Sequence, residues 1–281
     1  MARRRFFVSG VREGAAVLAG DEARHLTRVL RVEVGQLFEL SDGSRVCLAE
    51  VSAARKDLVE FRVLEDVPLA PALVRVTLFM ALIKFDHFEL VIEKATELGV
   101  TEIVPVITAR TEVGLEKAVP KRMERWERIA VEASQQSRRD RLPVIRQAMP
   151  FARAVAFGNA VPIGQSASPT PVASSSHAPG SAGATTEPRP SGRGHRYWLD
   201  EDPGGSPLLQ AFPPERRPGD EVALLIGPEG GWTPAEREAA AAREWTRVSL
   251  GRQILRAETA AIASLAVVAA GWELGRPLQA T

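Results

Sequence analysis

Short β-type segments fill most of the first 70 residues. Apolar and β-branched residues cluster at positions 6–8, 37–40, 46–51 and 58–64. The pair Asp42-Gly43 lies between the second and third clusters and is typical of a hairpin turn, because glycine accepts the positive φ that a tight turn needs. This pattern predicts a small β-barrel over residues 1–71.

One helix interrupts these strands. Leu26, Val29 and Leu30 are spaced to share one face of a helix that Asp21 can cap. A proline-marked linker at residues 65–71 then separates this module from the rest of the chain.

The apolar pattern changes at residue 74, where strands begin to alternate with helices. The predicted strands cover residues 74–83, 103–107, 197–200, 222–226 and 247–250. The predicted helices cover residues 86–98, 121–137, 151–157, 234–243 and 259–272. Apolar strands that alternate with helices are typical of a mainly parallel sheet with both faces covered. Residues 72–281 are therefore predicted to form an α/β domain.

Residues 166–195 do not fit this alternation. Sixteen of these 30 residues are Ser, Pro or Gly, none is aromatic, and only Val172 is a branched aliphatic residue. Such a segment buries too little apolar surface to offset the entropy of ordering it. We expect a disordered insertion that acts as a spacer, with a partner-binding tail as the alternative.

Composition excludes several classes of protein. Cys47 is the only cysteine, so an intrachain disulfide and a cysteine-based zinc site are excluded. The longest uncharged apolar run near the carboxyl end, residues 259–272, is too short to cross a bilayer, and the basic first residues lack the apolar run of a signal peptide. His25 and His87 lack the spacing of metal ligands. We therefore expect a cytoplasmic protein with no membrane partner and no metal.

Positive charge is concentrated in two stretches of this nearly neutral chain, whose formal net charge is +1. Residues 1–31 contain seven arginines against three acidic residues, and residues 121–146 contain eight basic residues against four acidic ones. Two such patches suit a polyanionic partner that is contacted locally, such as a nucleic acid. A pair of solvated surfaces is the alternative explanation.

A glycine-rich loop follows one of the predicted strands. The sequence LLIGPEGGW at 224–232 takes an apolar strand into this loop, and Thr233-Pro234 then caps and begins a helix. Open α/β sheets bind ligands at the carboxyl ends of their strands, and glycines such as Gly227 and Gly230 allow close approach to the backbone. The spacing matches neither a phosphate-binding P-loop nor a dinucleotide fingerprint. A simple tight turn with Glu229 exposed is the alternative.

A second polar loop follows the next strand. The sequence LGRQILRAETA at 250–260 interleaves Arg252, Arg256 and Glu258 with apolar residues before an alanine-rich helix. Polar groups beside a buried helix need partners, so they belong either to an internal salt bridge or to a site. Glu258 also suits the positive end of the helix dipole.

Together these two loops make the chain resemble the ribosomal RNA small subunit methyltransferase E family of the SPOUT class. The resemblance extends to RRRFFV, HLTRVLRVEVGQ, LIKFDHFELVIEKATELGV and ERWERIAVEASQQSRRDRLP, and so covers nearly the whole chain outside residues 166–195. It implies a PUA-like amino-terminal barrel and an α/β domain whose carboxyl end is threaded through a trefoil knot. It also implies a homodimer that methylates N3 of one uridine in the 16S rRNA of the small ribosomal subunit, with S-adenosyl-L-methionine as donor.

The resemblance also implies which residues act. The cofactor would contact Leu199, Ile226, Gly227, Glu229, Gly230, Leu250, Gly251, Ile254, Leu255, Arg256, Thr259 and Ala260. Arg256, Glu229 and Glu258 are the catalytic candidates near the reacting base, because a base or an anion-stabilising cation must assist loss of the N3 proton. RNA phosphates would contact Arg3, Arg4, Arg5, Arg24, Arg28, Arg31, Arg138, Arg139 and Arg141.

Two other functions remain open at the level of sequence. One is a SPOUT methyltransferase that acts on another RNA site or base. The other is a non-catalytic RNA-binding assembly factor with the same fold. Binding of S-adenosylmethionine would separate the enzymes from the binder, and the position of the methylated nucleotide would separate the two enzymes.

Overall fold

The amino-terminal part of the computed structural model is a six-stranded sheet with one helix, α1 (Gly20–Arg28). The structure describes residues 3–160, 194–202 and 204–275. The strands are β1 (Arg5–Phe7), β2 (Val11–Arg12), β3 (Ala15–Ala19), β4 (Leu37–Ser41), β5 (Val46–Arg55) and β6 (Leu58–Val67), in the spatial order β1-β4-β5-β6-β3-β2. Phe6, Leu40, Val51 and Phe61 pack with Leu26 of α1 in a separate hydrophobic core. The predicted β-rich module is confirmed, with β2 and β3 as additional strands.

Helix α1 differs from its prediction at both ends. Asp21 does not cap it: Ala19 is the N-cap residue, and Asp21 lies in the first turn. The helix ends at Arg28, so Val29 falls outside the predicted apolar face and is 65% exposed. The predicted linker is also too long, because β6 continues to Val67 and residues 65–67 pair within the sheet.

The second part of the chain is a parallel sheet flanked by helices. Its strands are β7 (Val74–Ala81), β8 (Glu102–Ile107), β9 (Val144–Ile145), β10 (Met149–Pro150), β11 (Gly194–Leu199), β12 (Ser206–Pro207), β13 (Asp220–Ile226) and β14 (Thr246–Ser249). Its helices are α2 (Phe85–Glu97), α3 (Leu115–Gln136), α4 (Phe151–Ala160), α5 (Pro234–Ala241) and α6 (Ala257–Leu274). The spatial order is β10-β8-β7-β13-β11-β14-β12, with β9 beside β8, and every described pairing in this sheet is parallel.

Alternating side chains of the central strands enter two cores, one on each face of the sheet. Leu78 and Leu224 pack with the buried faces of α2 and α6. Phe79 and Leu225 point the other way and pack with α4, α5 and Trp245. The predicted parallel sheet with both faces covered is confirmed.

Most elements differ from their predicted bounds by a few residues, and the differences at β11 and α3 are among the larger ones. Strand β11 begins at Gly194, so the last two residues of the predicted insertion are ordered, while residues 166–193 lie outside the described residues. Helix α3 begins at residue 115 instead of 121: Gly114 turns the chain at φ +98° directly before it, and the helix continues through Pro120.

Helix α6 is longer than the apolar run that predicted it. It has 18 residues and a mean hydropathy of 1.3, so by length and composition alone it could cross a membrane. It packs instead on α2, β7 and β13, as the core helix of a folded domain does.

Candidate functional site

A cleft of about 490 Å³ lies at the carboxyl ends of three adjacent parallel strands. Strands β11, β13 and β14 each continue into a loop at this edge of the sheet, which is where open α/β sheets bind ligands. The lining residues are Leu199, Asp200, Glu201, Asp202, Gly204, Pro207, Ile226, Gly227, Pro228, Glu229, Gly231, Trp232, Ser249, Leu250, Gly251, Arg252, Gln253, Ile254, Leu255, Ala257 and Ala260.

The glycine loop after β13 is held rigidly in place. Trp232 is buried, its indole Nε1 donates to the carbonyl oxygen of Leu199 at 2.7 Å, and its ring lies against Gly227. A Cβ on Gly227 would lie 2.9 Å from that ring, so this position has no room for a side chain. Thr233 and Glu236 then form a capping box that starts α5.

Gly231, and not Gly230, has the backbone conformation in this loop that favours glycine. Gly231 has φ +72°, and a Cβ there would collide with the Glu201 carboxylate. Gly230 has an ordinary φ and does not line the cleft; instead Arg110 packs over it and donates to its carbonyl oxygen. Gly231 therefore lines the cleft and Gly230 does not, and contact of Gly230 with the cofactor stays a prediction.

The loop after β14 presents apolar side chains to the cleft. Ile254 is 81% exposed and Leu255 is 37% exposed, which is unusual for large aliphatic residues of a core-forming segment. Gly251 turns this loop at φ +129°, and its N–H donates to Ser249 Oγ at 3.1 Å. Exposed apolar surface inside a concave site is typical of a surface that a ligand covers.

The opposite side of the cleft is acidic and is compensated by arginines. The carboxylates of Asp200, Glu201 and Asp202 have oxygens within 4.8 Å of one another, a grouping that could hold a cation. Arg237 pairs with all three, and Arg247 pairs with Asp200 at 2.9 Å. Burial alone would raise the pKa of Asp200, but the hydrogen bonds from Arg237 and the charge of Arg247 hold that pKa below its usual value. The protein's own guanidinium groups therefore offset two of the three negative charges of this cluster.

Of the three catalytic candidates, Glu229 alone lines the cleft. Glu229 is exposed in the glycine loop and lines the cleft. Glu258 is buried in the first turn of α6 and lies 2.9 Å from Nδ1 of His87 in α2, outside the cleft lining. Arg256 is the exposed N-cap residue of α6 and also lies outside the lining. Glu258 is thus engaged by His87 of α2, and its role beside the reacting base stays a prediction.

Most of the predicted cofactor residues do line the cleft. The exceptions are Gly230, Arg256 and Thr259. Sequence analysis missed Gly231 and the acidic side at 200–202. The acidic side could have been found from its position directly after strand β11.

The predicted phosphate-binding arginines fall into two groups. Arg3, Arg4, Arg28, Arg31 and Arg141 are exposed, and Arg24 pairs with Asp21 on the surface. Arg5 is only 8% exposed, and it pairs with Glu39 at 2.8 Å while it donates to the carbonyl oxygen of Arg138. The prediction that Arg5 contacts phosphate is therefore corrected: Arg5 joins β1 to the end of α3.

Arg138 also belongs to the contact between the two parts of the chain, whereas Arg139 bonds within the α/β part. Arg138 donates to Glu39, and Arg139 donates to the carbonyl oxygens of Thr96 and Arg141. Burial lowers the pKa of Arg139 to about 10. Both guanidinium groups are thus engaged by protein atoms, although that of Arg138 is still 41% exposed.

Comparisons with known proteins identify both parts of the chain. Residues 70–163 and 189–269 match a family described as RNA methyltransferase domain, and residues 18–64 match one described as RNA methyltransferase PUA domain. The ribosomal RNA small subunit methyltransferase E of Synechocystis is 33% identical over 91% of this chain and 73% of its own length. The protein of the same name from Bacillus subtilis is 29% identical over 92% and 91%.

Solved structures agree with this assignment. A methyltransferase from Legionella pneumophila, in complex with the bound cofactor SAM, superimposes with a TM-score of 0.74 and 25% identity over 96% of this chain and 98% of its own. An rRNA methyltransferase from Porphyromonas gingivalis gives a TM-score of 0.72 and 27% identity over 97% of this chain and 100% of its own.

Proposed function

The chain belongs to the ribosomal RNA small subunit methyltransferase E family, and from this premise we propose that it transfers a methyl group from S-adenosylmethionine to N3 of one uridine in 16S rRNA. The observation that carries the proposal is the cleft formed by the glycine loop and residues 250–255 at the carboxyl edge of the sheet. Residues 1–71 would bind RNA and residues 72–281 would form the SPOUT methyltransferase domain, with its carboxyl end in a trefoil knot.

The cleft has the size and lining that S-adenosylmethionine needs. Its volume lies within the roughly 300–1,000 Å³ range of small-molecule sites. Ile254 and Leu255 offer exposed aliphatic surface for a flat heterocycle, while Gly251 leaves the backbone accessible. Leu199, Ile226, Leu250 and Ala260 complete the apolar wall. These residues would hold the cofactor, which supplies a methyl group activated by its sulfonium.

The protein's own residues would position the acceptor and take up its proton. Methyl transfer needs N3 aligned with the methyl–sulfur bond, so much of the rate enhancement comes from orientation. Glu229 is the exposed carboxylate of the glycine loop and would accept the N3 proton. Arg256, exposed at the start of α6 directly after Leu255 of the cleft lining, would stabilise the anionic base.

The RNA would lie across both parts of the chain. Arg3, Arg4, Arg28 and Arg31 expose their guanidinium groups on the amino-terminal module, and Arg141 does so beside it. Such contacts fix the register of the RNA without reading its sequence. A uridine turned out of its stack would then reach the cleft.

The enzyme would act in the cytoplasm as a homodimer. Helix α6 is apolar, with a mean hydropathy of 1.3. Part of it is nevertheless exposed: Ala266 and Ala270 lie on its outer face, and Leu274 at its end is 78% exposed. An apolar face of small side chains allows a second helix to approach closely. A second copy of the chain is therefore the proposed cover for this face.

A methyl-transfer assay tests the proposed function. Purified protein is mixed with S-adenosylmethionine labelled in its methyl group and with small or large ribosomal subunits from a strain that lacks this protein. We expect label in the 16S rRNA of small subunits and none in large subunits. Label in large subunits only would favour another RNA site, and binding of RNA without any transfer would favour a non-catalytic assembly factor.

A further inference from the structure

The loop that follows β8 brings an unassigned arginine against the glycine loop of β13. Arg110 lies after Ile107 and reaches across to the glycine loop of β13, where its guanidinium donates to the carbonyl oxygen of Gly230. Its Cδ would lie 3.1 Å from a Cβ on Gly230, so the side chain rests flat on this loop. Arg110 thus borders the loop that carries Glu229.

The backbone at Arg110 is fixed by neighbouring hydrogen bonds. Thr108 N–H donates to Thr111 Oγ1 at 2.9 Å, and Thr111 N–H donates back to the carbonyl oxygen of Thr108 at 3.2 Å. Ala109 N–H donates to Glu236 Oε1 at 2.8 Å, and Glu236 is the capping-box residue of α5. The loop after β8 and the start of α5 are therefore held together, and Arg110 is presented from a rigid base.

The guanidinium of Arg110 keeps most of its donors free. The residue is exposed, and in the described part of the chain it forms no ion pair with a carboxylate. A guanidinium has five N–H donors in a planar fork. In Arg110, Nη1 donates to the carbonyl oxygen of Gly230. The remaining edge has the geometry that binds a phosphate.

The acidic cluster under β11 makes that side of the cleft less favourable for phosphate than the side of Arg110. Asp200, Glu201 and Asp202 make the side under β11 acidic, even with Arg237 and Arg247 paired to them. A polyanion is repelled there and attracted on the side of Arg110. An RNA strand that delivers a base to the cleft would therefore run past the loop after β8.

We propose that Arg110 binds a backbone phosphate of the RNA strand that carries the target base. This inference rests on the proposed function, since it assumes that RNA is the substrate. The competing role for Arg110 is purely structural: by packing on Gly230 it would only shape the cofactor loop. The two roles predict different effects on RNA binding and on cofactor binding.

The test compares Arg110→Ala and Arg110→Lys with the control Arg243→Ala. Arg243 is also exposed, but it lies between α5 and β14 at the opposite edge of the sheet from the cleft. Binding of a full-length 16S rRNA transcript is measured at several salt concentrations, and S-adenosylmethionine binding is measured by calorimetry.

For Arg110→Ala we expect the RNA Kd to rise about tenfold, the loss of one charge-assisted hydrogen bond. The slope of log K against log salt should shrink by about 0.7–0.9, which is the value of one phosphate contact. Arg110→Lys should keep the salt slope, and Arg243→Ala should match the wild type in both measurements.

An unchanged salt slope for Arg110→Ala would overturn the proposal, whether or not cofactor binding changes. Failure of the wild-type protein to bind cofactor or methylate small subunits would instead overturn the proposed function.

Discussion

Two adjacent glycines show how strongly the cleft depends on single positions. Replacing Gly231 with Val forces a β-branched residue to φ +72° and drives its Cβ into the Glu201 carboxylate. The backbone strain alone costs about 1–3 kcal/mol. We expect the Kd for S-adenosylmethionine to rise at least about tenfold, as measured by calorimetry on protein with an unchanged circular dichroism spectrum.

The control is the neighbouring Gly230→Ala. Its new Cβ meets only the flexible side chain of Arg110 at 3.1 Å, and its φ is ordinary. Cofactor affinity should stay close to that of the wild type. If Gly231→Val binds the cofactor normally, the glycine loop is a simple turn and the cofactor site lies elsewhere.

Substitution of the two candidate carboxylates with glutamine should affect different properties: kcat for Glu229 and stability for Glu258. Glu229→Gln removes an exposed base from the cleft, so kcat should fall by about 10²–10⁴ with little change in melting temperature. Glu258→Gln weakens a buried contact with His87, so it should lower the free energy of unfolding by about 1–3 kcal/mol. Single-turnover methyl transfer and thermal unfolding of both variants measure these effects. A kcat that falls only in Glu258→Gln would reverse the assignment of the base.

At the scale of elements, one ion pair joins the amino-terminal sheet to the α/β domain. Glu39 of β4 accepts hydrogen bonds from Arg5 of β1 and from Arg138 at the end of α3. Replacing Glu39 with Ala leaves a buried, unpaired guanidinium, which costs about 3 kcal/mol. Urea unfolding measures this loss. The exposed pair between Glu50 and Arg62 is the control, and Glu50→Ala should change stability by less than about 1 kcal/mol.

The same ion pair gives stability a defined pH dependence. Burial alone would raise the pKa of Glu39, but hydrogen bonds from Arg5 and Arg138 lower it below the ordinary 4.5. A carboxyl with a depressed folded-state pKa contributes stability that is present above its unfolded pKa and is lost as pH falls through its folded pKa. The wild type should therefore lose this contribution below about pH 4.5, while Glu39→Gln should not. Equal acid sensitivity of the two proteins between pH 5 and roughly pH 3 would contradict this account.

Helix α6 allows a test of the proposed dimer. Ala266 and Ala270 are exposed on its outer face, so changing both to Glu places charges in the proposed interface. We expect the mass measured by light scattering to fall from that of a dimer to that of a monomer. Ala241→Glu is the control, because Ala241 is an exposed alanine at the end of α5. A double variant that remains dimeric would show that another face forms the interface.

At the scale of the whole molecule, local sequence patterns predict the strands and helices. They do not predict the contacts between residues that are far apart in the sequence. The parallel sheet followed from apolar strands that alternate with helices, and the cleft followed from the rule that ligands bind at the carboxyl ends of strands. The burial of Arg5 did not follow, because its partner Arg138 lies 133 residues away along the chain. The contact of His87 with Glu258 spans 171 residues and depends on how α2 packs beside α6. A single sequence shows the residue types of such a contact but not which two elements meet.

The central claim is that this chain methylates N3 of one uridine in 16S rRNA, and reverse transcription of that RNA tests it most directly. A methyl group on N3 blocks the base-pairing edge of uridine, so it stops the transcriptase. The 16S rRNA of the wild-type strain should show a strong stop at one uridine, and that stop should be absent from a strain that lacks this protein. It should return when the wild-type gene is restored but not when the restored gene carries Gly231→Val. A pattern of stops that is identical in all four strains would contradict the account.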